Sequence, residues 1–252
     1  MQKKARGWKI RLYEEIKNDR SGLFITLTFS NRYVSELYDK KWDKLNDYDI
    51  TNKIAKLAIR RFLMRWIKKY KKSVKHWFVT ELGSSEKTER VHLHGFLFTD
   101  KSEVEISELW KYGQIYIGEF VNNKSINYIM KYLTKQDIEH RLYIPIVLCS
   151  KGIGKSYIYS ANAENNVFKG YNTRANYFTE QGIKLDLPTY YKNNLYSEEQ
   201  RDILFTRALD ENKAYVMKVE YDLSRDEQVN EYYKALNDGK EINNKLGYRN
   251  LS

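Results

Sequence analysis

The sequence predicts an α+β fold: an antiparallel ferredoxin-like sheet of the βαββαβ type, followed by a mostly helical C-terminal extension. Three observations predict it. Short runs of β-branched and aromatic residues recur at 21–30, 74–82, 91–98 and 113–121. A stretch with helical spacing at 51–72 separates the first run from the second, and a polar loop at 83–90 joins the second to the third. A strand, helix, strand, strand, helix, strand order closes most simply as one antiparallel sheet with its helices packed against it. The expected division is a core over 1–138 and an extension over 139–252.

"SGLFITLTFS" (21–30) alternates Leu23, Ile25, Leu27 and Phe29 against Thr26, Thr28 and Ser30, the period of a strand. In "TNKIAKLAIRRFLMRWIKKYKK" (51–72), Ala55, Ile59, Phe62, Trp66 and Tyr70 return at three- and four-residue intervals. That is the spacing of an amphipathic helix, whose remaining surface is basic. "VKHWFVTEL" and "VHLHGFLF" form a hairpin across "GSSEKTER". "SEVEISELWK" (102–111) is a short helix opened by Ser102, "GQIYIGEFV" a fourth strand, and "NKSINYIMKYLTKQD" (123–137) a further helix. Beyond about residue 140 the pattern weakens. "YIPIVLCS" reads as a strand, and Ser197 with Gln200 has the capping-box spacing before another helical period.

Forty-four Lys and Arg against 33 Asp and Glu give a net charge of +11, which points to a polyanionic partner, nucleic acid ahead of a membrane surface. The single Cys149 forms no internal disulfide, in keeping with a reducing compartment. The first twenty residues are basic without the apolar centre of a signal peptide, and no apolar run approaches the length of a membrane helix.

"RVHLHGFLF" (90–98) sets two histidines two apart in an apolar strand. His92 and His94 share a face with Phe96 and Phe98, opposite Val91, Leu93 and Leu97. Two imidazoles so placed serve equally as satisfied core side chains or as two ligands of one cation. Glu81, at the end of the hairpin partner, adds a carboxylate. Two imidazoles and a carboxylate leave coordination positions open, and with a polyanion partner they suit Mg²⁺ or Mn²⁺ bound together with phosphate.

In "INYIMKYLTKQ" (126–136), Tyr128, Lys131, Tyr132 and Lys135 fall on one helical face, and Ile126, Ile129, Met130 and Leu133 on the other. The tyrosines are therefore expected away from the core, beside ammonium groups that would lower a phenol pKa and bind phosphate oxygens. A plain exposed helix face is the alternative.

"TLTF" (26–29), "HLHG" (92–95) and "YIMKYLTK" (128–135), in this order, resemble the three motifs of HUH endonucleases of the replication-initiator type. The two-tyrosine form resembles that of initiators of small single-stranded DNA phages, the Microviridae. "CSKGIGKSYI" and "LPTYYKNNLY" are similar to the gokushovirus branch. The resemblance implies that His92 and His94, with Glu81, bind a divalent metal, Mg²⁺ or Mn²⁺. It implies that Tyr128 and Tyr132 are nucleophiles, that Lys135 is the motif lysine, and that Thr26, Thr28 and Phe29 contact DNA. The implied activity is nicking and rejoining of single-stranded origin DNA through a 5′-phosphotyrosine, starting and ending rolling-circle replication. A host helicase and DNA polymerase would serve it in the cytoplasm of a bacterial cell, with no membrane role.

"CSKGIGKS" (149–156) is not a phosphate-binding P-loop, because Cys149 stands where that motif needs glycine. Lys131, Lys151 and Lys155 remain candidates for DNA phosphates, the last two as alternatives to a simple turn. Two rival readings are a single-tyrosine HUH transposase and a non-catalytic ferredoxin-like domain that binds nucleic acid by aromatic stacking.

Overall fold

The computed structural model describes residues 2–83, 90–134, 140–210, 213–216 and 219–245. The chain divides into two compact units, Met1–Tyr157 and Ile158–Ser252.

The first unit is built on a five-stranded antiparallel sheet. In chain order its elements are α1 (Gln2–Asn18), β1 (Gly22–Leu27), α2 (Asn31–Leu37), α3 (Asp47–Tyr70), β2 (Lys75–Leu82), β3 (Val91–Phe98), α4 (Glu103–Ser107), β4 (Ile115–Phe120), α5 (Asn123–Thr134) and β5 (Val147–Cys149). The sheet order is β4-β1-β3-β2-β5, so the β2–β3 hairpin leaves β3 beside β1 at the centre. The two histidines thus sit on the middle strand, with pairing neighbours on both sides.

Alternation sorts the side chains to two faces. Ile25, Leu27, Phe78, Val91, Leu93 and Leu97 pack under α3 through Ile54, Ala58, Phe62 and Trp66, with Ile106 of α4 and Trp110 closing that layer. Each fully buried Phe or Leu of this kind contributes about 1.5–3 kcal/mol. The other face carries Trp77, Val79, Phe96 and Phe98, covered by Ala5 and Leu12 of α1 and by Ile126, Ile129 and Leu133 of α5. α3 starts at Asn46, whose side chain accepts from the Asp49 N–H, and stops where Lys71 turns left-handed at φ 58°. α4 carries the capping box of Ser102 and Glu105 but ends at Ser107, shorter than the expected 102–111.

The central strand needs a glycine at 95. A Cβ there would stand 2.2 Å from the Trp77 carbonyl oxygen and 2.3 Å from Phe78 Cδ1. Phe78, directly across the ladder and 1% exposed, fills the space a side chain would take.

Two differences from the sequence reading affect the site. Residues 2–18 form a helix, held to the sheet by the edge-to-face pair of Trp8 and Trp77 with centroids 5.8 Å apart. The first unit also runs on past residue 138. Val147–Cys149 adds an edge strand to β2, and the turn after it is tied to α1 by Arg11 Nε donating to the Ile153 carbonyl at 2.9 Å.

The second unit holds α6 (Ala161–Glu164), β6 (Asn176–Phe178), β7 (Lys184–Asp186), α7 (Thr189–Leu195), α8 (Glu198–Asp210), β8 (Lys213–Val216), β9 (Val219–Asp222) and α9 (Asp226–Lys245). It mixes helices with two small antiparallel hairpins, β6–β7 and β8–β9. Strands of three or four residues carry too little alternation to register against a helical background. The capping box forms as its spacing predicts: Gln200 N donates to Ser197 Oγ at 3.2 Å, and Ser197 N to Gln200 Oε1 at 3.1 Å. Among the described residues no helix is long and apolar enough to cross a membrane.

Candidate active site

The site lies on the α1–α5 face of the sheet, toward the end of β3 where His92 and His94 project. β2 and β3 pair Glu81 directly with His92. The closer contact is diagonal, with His94 Nε2 2.8 Å from Glu81 Oε2. On the other flank β1 pairs Thr26 with His94, and Thr26 Oγ1 lies 3.0 Å from His94 Nδ1. One imidazole is therefore held at both nitrogens, by a hydroxyl on one neighbouring strand and a carboxylate on the other. A hydroxyl at Nδ1 fixes the ring and directs Nε2 toward Glu81, an arrangement common behind metal-binding histidines.

His92 stands apart from this pair. Its ring centroid is 6.3 Å from that of His94, with the planes at 49°. Burial, then the neighbouring His94 and Arg90, hold its pKa below the ordinary value against the opposing pull of Glu81, which favours the neutral ring that ligates metals. Among the described residues no group of three or more His, Cys, Asp or Glu side chains converges to hold an ion as it stands. The donor chemistry suits a divalent cation, and two of its members, Glu81 and His94, already meet.

The tyrosine helix differs from its helical-wheel expectation. Tyr128 is 49% exposed, but Tyr132 is 7% exposed and belongs to the apolar cluster on this face. α5 is wedged between the sheet and α1, so the stripe holding Tyr132 turns down onto the histidines. Tyr132 stacks on His94 with centroids 4.3 Å apart and planes 4° from parallel. Its hydroxyl donates to the Tyr128 hydroxyl at 2.8 Å. The Lys131 ammonium sits 3.6 Å from the Tyr128 ring centroid and 4.8 Å from that of Tyr132.

These contacts drive the phenols apart. Lys131, followed by the Tyr132 O–H, lowers the Tyr128 pKa. Burial, followed by its bond to Tyr128, raises that of Tyr132. The expectation that lysines lower a phenol pKa thus applies to one tyrosine, because the other is desolvated and acts as a hydrogen-bond donor. Phe24 of β1 packs edge-to-face on Tyr128 at 6.1 Å and fixes the free side of that ring.

The remaining sequence candidates distribute as follows. Thr28 lies beyond Thr26 on the same strand face, its hydroxyl donating to the Gln114 carbonyl at 3.1 Å and accepting from the Gln114 N–H at 2.8 Å. Phe29 is 2% exposed and packs on the α3 side against Trp110 and Tyr112, a core position rather than a DNA contact. Lys151 and Lys155 are exposed on a turn where Gly152 and Gly154 take φ values of 84° and 71°. The Gly154 N–H donates to Glu15 at 2.6 Å, so this turn is anchored to α1 and is not an open cradle of amides. Lys135 lies outside the described residues.

The sequence reading missed α1, which supports the tyrosine helix through Tyr13 Oη donating to Asn127 Oδ1 at 2.8 Å. A signal was present: Ala5, Trp8, Leu12 and Ile16 repeat at helical spacing, interrupted by Gly7 and dense positive charge.

Residues 22–137, just under half of the chain, match the family model of replication-associated proteins of the ORF2 type. No curated protein and no solved structure matches the chain.

Proposed function

We propose that this protein is a replication initiator of the two-tyrosine HUH type, nicking and rejoining single-stranded origin DNA in rolling-circle replication of a small phage genome of the Microviridae kind. The observation that carries the reading is the convergence on His94. Thr26 from the first motif, Glu81 from the hairpin partner and Tyr132 from the tyrosine helix all contact that one imidazole. The β4-β1-β3-β2 order is the one a βαββαβ chain adopts as a ferredoxin-like sheet, and it supports the same reading. So does the similarity of residues 22–137 to replication-associated proteins.

Each residue has a role that follows from its surroundings. His92, His94 and Glu81 would hold Mg²⁺ or Mn²⁺, whose charge would polarise the scissile phosphate. Tyr128, exposed and next to Lys131, is the first nucleophile. Its phenolate oxygen bonds to phosphorus, the bond to the 3′ oxygen breaks, and that oxygen takes a proton to leave as a 3′-OH. The phosphotyrosine keeps the energy of the broken phosphodiester, so rejoining needs no nucleotide triphosphate. Tyr132 donates its hydrogen bond to the attacking oxygen and then serves as the second nucleophile, once a new strand occupies the site. The free 3′-OH would prime a host polymerase, with a host helicase opening the duplex in the bacterial cytoplasm.

The test is adduct formation. Protein, single-stranded origin DNA and Mn²⁺ are resolved on a denaturing gel beside EDTA, His92→Ala and the Tyr128→Phe/Tyr132→Phe double variant. A metal-dependent covalent adduct, lost in both variants, supports the reading. One observation favours a second reading, a non-catalytic single-strand-binding domain: His92 does not join the Glu81–His94 pair. Tight binding with no adduct under any divalent metal would select it. The hydrogen bond between two tyrosines counts against a single-tyrosine transposase.

A further inference from the structure

The histidine face does not end at His92. Along β3 the same face continues to Arg90, along β1 from Thr26 to Thr28 and Ser30, and on the chain entering β4 from Tyr116 back to Gln114. Where these three lines run out there is a cavity of about 670 Å³. Ser30, Arg90 and Gln114 line it from the sheet, Tyr33 comes from α2, and Ser107 and Lys111 come from the α4–β4 connection.

We propose that this cavity is a nucleotide subsite, taking one base and its phosphate from the single strand that crosses the candidate active site. The proposal rests on the single-strand reading above and gives it a second anchoring point.

Three observations carry it. The first is size, since the volume falls within the range of small-ligand pockets and accommodates a nucleotide. The second is chemistry. Two cations, Arg90 and Lys111, stand beside neutral donors and acceptors on Ser30, Ser107 and Gln114 and beside the half-buried ring of Tyr33. That combination fits an anionic group attached to a flat, hydrogen-bonding heterocycle. Glu108 on the rim is engaged by Lys69 at 2.7 Å, which offsets its repulsion of a phosphate. The third is continuity. Arg90 is two residues from His92 on the same strand face, a displacement of roughly 7 Å. A strand with its scissile phosphate over His92 and His94 would deliver the adjoining nucleotide there. The walls are rigid: Trp110 Nε1 donates to the Thr28 carbonyl at 3.1 Å, and Arg90 reaches the Phe29 carbonyl at 3.4 Å.

Trp110 is also a reporter. In metal-free protein labelled with ¹⁵N-tryptophan, its indole N–H signal is followed while each of the four deoxynucleoside 5′-monophosphates is added, with inorganic phosphate as control. A saturable shift with at least one nucleotide, absent with phosphate alone, is expected. Arg90→Ala and Ser107→Trp, the second filling the cavity, should abolish it. A mixed-sequence single-stranded 25-mer should move the same signal, and Ser107→Trp should weaken its binding by about tenfold, the order of one nucleotide's contacts. Unchanged near-ultraviolet circular dichroism establishes that each variant is folded.

A shift with phosphate alone, or none with any mononucleotide, overturns the subsite. A shift with free nucleotides that the 25-mer does not reproduce overturns its assignment to DNA. All of these readouts are independent of cleavage. A subsite that behaves as expected in a protein that forms no adduct sinks the nuclease reading alone. Adduct formation with no response at Trp110 sinks the subsite alone.

Discussion

Tyr132 lies flat on His94, ring against ring at 4.3 Å, while its hydroxyl donates to Tyr128. The side chain that touches a candidate metal ligand is therefore not the one placed to attack first. The two phenols, one turn of helix apart, are in unlike environments.

The first cleavage is expected to separate them. Tyr128→Phe should abolish the initial adduct, whereas Tyr132→Phe should leave it and block only strand transfer to a second site. Lys131→Met should slow the first step by about tenfold for each unit by which the Tyr128 pKa returns upward. That deficit should shrink as pH rises, because alkali supplies the phenolate that Lys131 supplies at neutrality. Single-turnover adduct formation across a pH series reads all three variants.

Thr26→Val deletes the hydroxyl at His94 Nδ1 with little change in volume. Mn²⁺ affinity should fall about 10–100-fold, as it does when a partner behind a ligating histidine is removed. Thr26→Ser should restore most of it. Calorimetric titration measures both, and equal affinity in all three proteins would remove Thr26 from the site.

Gly95 tolerates no side chain, since the obstruction at 2.2 Å is a backbone carbonyl that cannot swing away. Gly95→Ala should cost about 3 kcal/mol and lower the thermal midpoint by about 10 °C. Gly118→Ala, whose Cβ would meet nothing nearer than 3.4 Å, is the matched control and should be close to neutral.

Protein without metal should lose stability as pH falls. His92 and the buried His76 both have pKa values lowered chiefly by burial. The unfolded chain then binds more protons than the folded one, so stability rises with pH in this range. It is present in full above the ordinary histidine value and is lost as pH drops below about 6.5 toward the lowered folded values. His92→Ala should flatten part of this slope in thermal scans between pH 8 and 5.

Much of this was legible in the sequence because it depends on short-range period. Two-residue alternation placed His92 and His94 on the face opposite Leu93, and Glu81 beside His92, as the strand pairing has them. The helical wheel placed Tyr128, Lys131 and Tyr132 together. It could not say which way that face turns, because that depends on α1, whose period is broken by Gly7 and by charge. Tyr132 is buried and Tyr128 exposed for this tertiary reason alone. The position of Phe29 was missed for a simpler one: its motif neighbours face the site, and period two turns it away into the α3 layer.

The helix at the start of the chain has a practical consequence for anyone dissecting the protein. The stretch that resembles replication-associated proteins begins at residue 22 and ends at 137, after α1 and before β5. A fragment trimmed to those limits would keep every motif but lose Ala5, Trp8 and Leu12 from beneath the tyrosine helix and Val147 from the edge of the sheet. The smallest piece to express in isolation is therefore residues 1–157, and inactivity of the shorter one would indicate a missing floor, not a missing catalyst.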